Sequence, residues 1–176
     1  MSVTSNQRAI LKSTAYYESL LQKLPEELFV QTPAIGVWSY AEVYSHIFSS
    51  NIGCLKAIDK CLEGTAIENS DRLKFYIWAI LFFKQFPPTV KLKVPEKIAR
   101  QVVKISRQEA GVLISNFKNH LVEVSPKVGG ASSTQKIKHP RLGLLNAMQW
   151  HDFIDLHTRH HQKQLGRIMK LHRHNS

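Results

Sequence analysis

The sequence predicts an all-α fold in which four long helices and a shorter, accessory one close a bundle around a single core. Three observations carry that expectation. Apolar residues return at intervals of three and four through several long segments. Ser39 and Glu42 stand at capping-box spacing in front of one of them. No segment makes a convincing strand, because the only alternating run, Val90–Val94, is short and flanked by prolines. With 43% apolar residues in 176, no internal repeat and no break in composition, residues 1–176 read as one domain.

Leu11, Thr14, Tyr17, Leu21 and Leu24 mark a first amphipathic helix from about Asn6 to Leu24, and Pro25 ends it or opens a new turn. After a connector with Pro33 and Gly36, Ser39 and Glu42 start a second helix, which should stop at Gly64. A third helical stretch spans about Asn69 to Gln85 and halts at Pro87-Pro88, whose rings remove two amide donors. Val112, Leu113, Phe117, Leu121 and Val124 place a fourth between Ser106 and about Val124. Residues Pro126 to Arg141, rich in Gly, Ser and Pro, read as a loop before a last helix from about Asn146 to Leu171.

Lys and Arg outnumber Asp and Glu 24 to 13, a formal charge of +11, and the excess gathers in two loops, Lys84–Arg107 and Pro126–Arg141. Such a charge attracts polyanions without selectivity. The loops lack interleaved aromatics, and no helix-turn-helix or zinc-finger spacing occurs, so specific nucleic-acid recognition is not supported. The apolar run Phe75–Phe83 is nine residues long, against the 20 or so a span needs, and is expected to be a buried core helix, not an interfacial anchor. No membrane partner is therefore expected. Cys54 and Cys61 on one helix would hold their α-carbons roughly 10 Å apart, too far for a disulfide. The polar stretch Met1–Arg8 has no signal-peptide core, and a cytoplasmic location is the expectation.

Five of nine histidines lie between His151 and His172. On a helical wheel at about 100° per residue, His157 and His161 fall within about 40° of each other, inside the apolar stripe of Trp150, Phe153, Ile154 and Ile168. His151, Asp152 and Asp155 fall on the solvent side and His160 on the border towards Lys163 and Arg167. Two imidazoles four residues apart can converge on one ion, yet two core histidines satisfied by hydrogen bonds show the same spacing. His46 shares its face with Ser39, Ser49, Ser50, Gly53 and Ala57, small residues that leave either a cavity or room for a close neighbouring helix. His46, His157 and His161 can together supply three nitrogens from two helices and leave coordination positions open, as catalytic sites do.

The segment WSYAEVYSH, Trp38–His46, resembles the second-helix signature of the DinB-like metalloprotein superfamily. The stretch from His139 to Ile168, with His157, His161 and Gln164 in a His-x3-His-x2-Gln pattern, resembles its last helix, and LPEEL at Leu24–Leu28 adds a third match. The resemblance implies an up-down-down-up four-helix bundle, usually a homodimer. It also implies a divalent ion such as nickel, zinc or manganese on His46, His157 and His161. Relatives act as thiol-dependent transferases, isomerases or metal-dependent hydrolases, on small-molecule substrates that here include anions and thiol conjugates. The alternative is a metal-binding or interaction protein without turnover, contacting nucleic acid through its basic surface.

No general base is assignable from the sequence. Glu42 is read as a cap before a partner of His46, Gln164 as a hydrogen-bond partner of a ligand His or an amide at the core edge, and both cysteines as buried small hydrophobes. His172 and His174 are read as a solvated tail, and His120 and His139 have no partner that the sequence reveals.

Overall fold

The computed structural model describes residues 2–87 and 102–174. Six helices and a small sheet are present among them: α1 (Val3–Lys23), α2 (Glu26–Val30), α3 (Tyr40–Leu62), β1 (Ile67–Glu68), α4 (Phe75–Phe83), α5 (Arg107–Val128), β2 (Gln135–His139), β3 (Gly143–Asn146) and α6 (Ala147–His174). The segment Val90–Val94 and the centre of the first basic loop lie outside the described residues.

Local chemistry sets most helix ends. Ser39 and Glu42 form both halves of the capping box that starts α3, and Ser106 and Glu109 repeat the device at α5. Gly64, at φ +70°, follows the end of α3 in a conformation that a side chain would strain. Lys84 ends α4 with φ 52°, left-handed although it has a side chain. That strain, about 1–2 kcal/mol, is held by its ammonium, which reaches Asp152 Oδ1 at 2.5 Å, Asn6 Oδ1 at 2.8 Å and Asp155 Oδ2 at 3.5 Å.

α1, α3, α5 and α6 are the four long helices, and α6 and α5 each pack against both α1 and α3. Contacts along each pair give the directions. Asn6 meets His151 and Tyr17 meets Thr158, so α1 and α6 are parallel. Tyr40 stacks on His172 while Asn51 bonds Thr158, so α3 runs against α6. Glu18 pairs with Lys118 and Leu21 accepts from Arg107, so α5 runs against α1. The result is the up-down-down-up bundle. Its centre holds the fully buried Tyr17, Tyr44, Phe48 and Phe117, and the tyrosine hydroxyls donate to the carbonyls of Thr158 and Tyr17, both at 2.8 Å.

Four expectations need correction. First, the third helix is shorter than Asn69–Gln85, because residues before Phe75 serve the sheet: Asn69 N–H bonds Thr134, and Lys136 reaches Asp71. Second, it is not a core helix. Only Ile77 and Leu81 are buried, while Phe75, Tyr76, Trp78, Phe82 and Phe83 are 45–79% exposed. Its apolar residues cover the whole circumference, so composition could not say which side faces in.

Third, the segment Pro126–Arg141 is not a loop throughout. α5 continues through Pro126, which sits in its last turn and removes one backbone bond, and a hairpin follows with His139 opposite Gly143 and Lys136 opposite Asn146. β1 completes an antiparallel sheet in the order β1-β2-β3. Short strands of mixed composition such as QKIKH leave little periodic signal.

Fourth, His151, Asp155 and His172 are buried, not solvated, and Asp152 is only 27% exposed. α6 has a neighbour on more than one side, so its apolar stripe understates what is covered. His151 is enclosed by α1, α5 and α6: Asn6 Nδ2 donates to its Nδ1 at 2.8 Å, and its Nε2 lies 2.9 Å from Ser125 Oγ. Because Lys84 donates to Asn6 Oδ1, the Asn6 amide can only present its NH2 to the ring, which leaves the His151 proton on Nε2 and directed at Ser125.

Burial, then the Lys84 ammonium, pushes the His151 pKa down to about 4, with Asp155 opposing and Asp152 nearby on the Lys84 side. The unfolded chain takes up this proton near 6.5, so in that window the unfolded state binds more protons. The contribution is complete above pH 6.5 and disappears as pH falls through 4, amounting to at most about 3 kcal/mol. The thermal midpoint should fall between pH 6.5 and 4 more steeply in the wild type than in His151→Gln. Equal slopes would show that this imidazole does not titrate against folding.

Candidate metal centre

Antiparallel packing of α3 on α6 decides which histidines meet. His46 lies in the second turn of α3, and His157 and His161 are one turn apart on α6. One ring nitrogen of each lies within 4.8 Å of the other two. His157 Nε2 is 3.3 Å from His46 Nε2 and 3.1 Å from His161 Nε2. All three are buried, with 6–8% exposure remaining.

The opposite ring nitrogens fix the protons. Asn51 Nδ2 donates to Thr158 Oγ1 at 3.0 Å, which turns Asn51 Oδ1 towards His157 Nδ1 at 2.9 Å. Gln164 Oε1 lies 2.6 Å from His161 Nδ1. Each amide oxygen can only accept, so His157 and His161 carry their proton on Nδ1 and present an Nε2 lone pair to each other. A 3.1 Å approach of two lone pairs has no proton to share. His46 Nδ1, meanwhile, has no hydrogen-bond partner among the described residues.

Aromatic neighbours fix the rings. Phe153 stacks on His157 at 5.3 Å, Trp38 lies 5.2 Å from His46, and His160 meets His161 edge-on at 5.1 Å. Burial first, then the neighbouring imidazoles, push the pKa values down, to about 4 for His46, about 3 for His161 and well below the ordinary range for His157. All three are neutral near pH 7, the form that offers a lone pair to a metal.

The donor set fits a divalent ion. Bonds of about 2.0–2.1 Å to a tetrahedral ion set two nitrogen ligands about 3.3 Å apart, and the observed separations are close to that. Asn51 and Gln164 occupy the positions of the hydrogen-bond acceptors that orient ligand histidines. Gln164 was marked by its place in the sequence pattern. Asn51 was missed, although an amide in the middle of the apolar stripe of α3, between Ile47 and Leu55, was a readable signal.

The remaining candidates are elsewhere. Glu42 is occupied by its cap, Oε2 accepting from both the N–H and the hydroxyl of Ser39. Cys54 and Cys61 are buried, and burial pushes the Cys54 thiol up to about 12, which makes it a small apolar filler. His120 pairs with Asp59 at 2.7 Å, and His139 Nδ1 accepts the amides of Arg141 and Leu142. Of the small residues beside His46, Ser49 and Gly53 are exposed and Ser50 is half-buried, while Ser39 and Ala57 are buried.

No family model matches the chain, and no curated protein matches it. Two solved structures share its fold. One is TT2238, a four-helix bundle protein, 16% identical over 94% of this chain and 96% of its own, with a TM-score of 0.53. The other is YfiT from Bacillus subtilis, described as a probable metal-dependent hydrolase with an unusual four-helix bundle topology. It is 10% identical over 98% of this chain and 86% of its own, with a TM-score of 0.58. The likeness shows the fold alone, the four-helix bundle that the sequence resemblance implied.

The proton positions have a direct readout. Long-range nitrogen–proton NMR spectra at pH 7 of metal-free protein should show His157 and His161 protonated on Nδ1. Asn51→Leu should shift His157 alone towards a mixture of tautomers. An Nε2–H signal from His157 in the wild type would contradict the assignment.

Proposed function

We propose that the protein is a metal-dependent enzyme of the hydrolase type, with His46, His157 and His161 as the ligands of one divalent ion. One observation carries the reading. Two buried imidazoles aim unshared lone pairs at each other across 3.1 Å, with a third imidazole beside them, an arrangement that costs energy unless a cation lies among them. The YfiT description supports the reaction class at the level of fold. Nickel, zinc and manganese are all compatible with three imidazoles, since availability selects among first-row ions.

When bound, the ion supplies Lewis-acid polarisation of a substrate oxygen. The chain supplies the rest. Asn51 and Gln164 hold protons on the outer ring nitrogens, and Phe153 and Trp38 hold the planes of His157 and His46. Lys163 and Arg167 are near enough to His160 to lower its pKa, and they favour an anionic small-molecule substrate on that side. Three protein ligands from two helices leave coordination open, as a catalytic site requires and a structural one avoids.

Protein purified without a histidine tag should contain one divalent ion per chain by elemental analysis. His46→Ala, His157→Ala and His161→Ala should each abolish stoichiometric binding, while His160→Ala keeps it. EDTA should lower the melting temperature by only a few degrees and preserve helicity, because the bundle core does not need the ion. Reloaded protein should then hydrolyse members of a panel of anionic esters and amides. Retained binding in any of the three variants would refute the ligand set. Full binding with no turnover on that panel, or turnover only of thiol conjugates, would refute the hydrolase.

A further inference from the structure

We propose that the apolar cleft along one side of α4 takes the acyl chain of the substrate, an ester of an aliphatic carboxylic acid whose carbonyl lies at the metal centre. The proposal deepens the hydrolase reading and rests on it for the place of the carbonyl, whereas the cleft exists with or without an ion. It has a volume of about 390 Å³, is lined chiefly by Phe75, Tyr76, Ala79, Ile80, Phe83 and Phe86, and carries no charged side chain among its lining residues. Small-molecule sites begin at about 300 Å³. A closed cavity of about 150 Å³ already takes benzene, so this cleft has room for a chain of roughly six to twelve carbons. Walls made almost entirely of hydrocarbon favour such a chain over a sugar, whose hydroxyls would lose their water without finding partners.

Position joins the cleft to the metal centre. Phe86 is a wall of the cleft and also meets His160 edge-to-face, with ring centroids 5.1 Å apart at 88°. His160 meets His161 in the same manner, at 5.1 Å and 88°, so the wall of the cleft reaches a proposed ligand through one intervening ring. The exposed Lys163 and Arg167 follow His160 at i+3 and i+7 on α6 and supply positive charge beside that ring. The other side of α4 has no such link. Trp78 and Phe82 stack on each other at 4.9 Å, and neither lines the cleft. In the reaction the oxygen of water bonds the acyl carbon and the carbon–oxygen bond to the alcohol breaks. One water proton goes to the departing alkoxide, and the other is released as the new carboxylic acid ionises. The alkanoate keeps both the chain and a carboxylate, which makes it the probe of choice.

The test is calorimetric titration of the full chain, metal-free and then zinc-loaded, with alkanoates from butanoate to decanoate. In the metal-free protein each added methylene should tighten binding about fourfold until the chain fills the cleft. Ala79→Trp, which occupies the cleft, should weaken octanoate binding at least about tenfold, and circular dichroism checks its fold. Phe83→Ser, which removes an exposed wall, should flatten the chain-length series and serves as a second readout if Ala79→Trp does not fold. Trp78→Ser should change nothing beyond about twofold. Zinc should tighten octanoate at least about tenfold as the carboxylate reaches the ion. Zinc content measured on the same samples separates the two readings: a centre that takes no zinc counts against the ligand set, and the metal-free series still decides the cleft. Four results would overturn the proposal. The chain-length series is flat, Ala79→Trp binds like the wild type, Trp78→Ser loses as much as Phe83→Ser and the whole helix is merely adhesive, or the zinc-filled protein shows no gain.

Discussion

One buried junction, at Thr158, ties three of the four long helices together and settles where the histidines go. Its carbonyl accepts the Tyr17 hydroxyl from α1, its hydroxyl accepts the Asn51 amide from α3, and that hydroxyl donates in turn to Ile154 within α6. All three side chains are fully buried, so a slip of any helix by one residue would leave polar atoms unpaired, at about 1–3 kcal/mol each. Hydrophobic burial is non-directional, whereas these hydrogen bonds need particular atoms to face each other. They fix α1 and α3 against α6 immediately beside His157, and the second oxygen–nitrogen contact of Asn51 extends the same lock to the imidazole.

Much of this was legible in the sequence, for physical reasons. Helix caps are local: Ser39 and Glu42 write the start of α3 in four residues. The pair His157 and His161 is local too, since one helix turn brings them together whatever surrounds them. His46 could be placed on a face but not against its partners by spacing alone, and the resemblance at Trp38–His46 and His139–Ile168 was what joined them. The misses are all non-local. His151 was assigned to solvent because its own helix puts acids beside it, whereas its burial depends on Asn6 and Ser125, 145 and 26 residues away in sequence. The β2–β3 hairpin and the exposure of α4 also depend on what packs against them.

α4 shows why composition misleads in such a case. A helix that is apolar on all sides normally belongs to the interior, but this one is only nine residues long and is tethered at its end by Lys84 to acids on α6. The tether holds it on the outside of the bundle, where Ile77 and Leu81, with the partly buried Ile80, attach it and five aromatic rings are left over. Burying an aromatic ring is worth a few kcal/mol at most, so leaving several exposed in a folded protein is a standing cost unless another surface covers them.

The two clusters of buried histidine in α6 differ in the way that matters for function. Around His151 every contact matches a donor to an acceptor: Asn6 donates, the ring accepts, and the opposite nitrogen faces a hydroxyl. That is how a core satisfies an imidazole when nothing else is required of it. One and a half turns further on, the same helix carries His157 and His161 with their outer nitrogens equally well satisfied and their inner nitrogens opposed, lone pair to lone pair. The fold has shown that it can pair a buried imidazole fully, and here Asn51, pinned by Thr158, holds the His157 side of the mismatch while Gln164 Oε1 faces His161 on the other. On the proposed reading, a divalent cation turns the two opposed lone pairs of His157 and His161, with the His46 ring nitrogen beside them, into bonds.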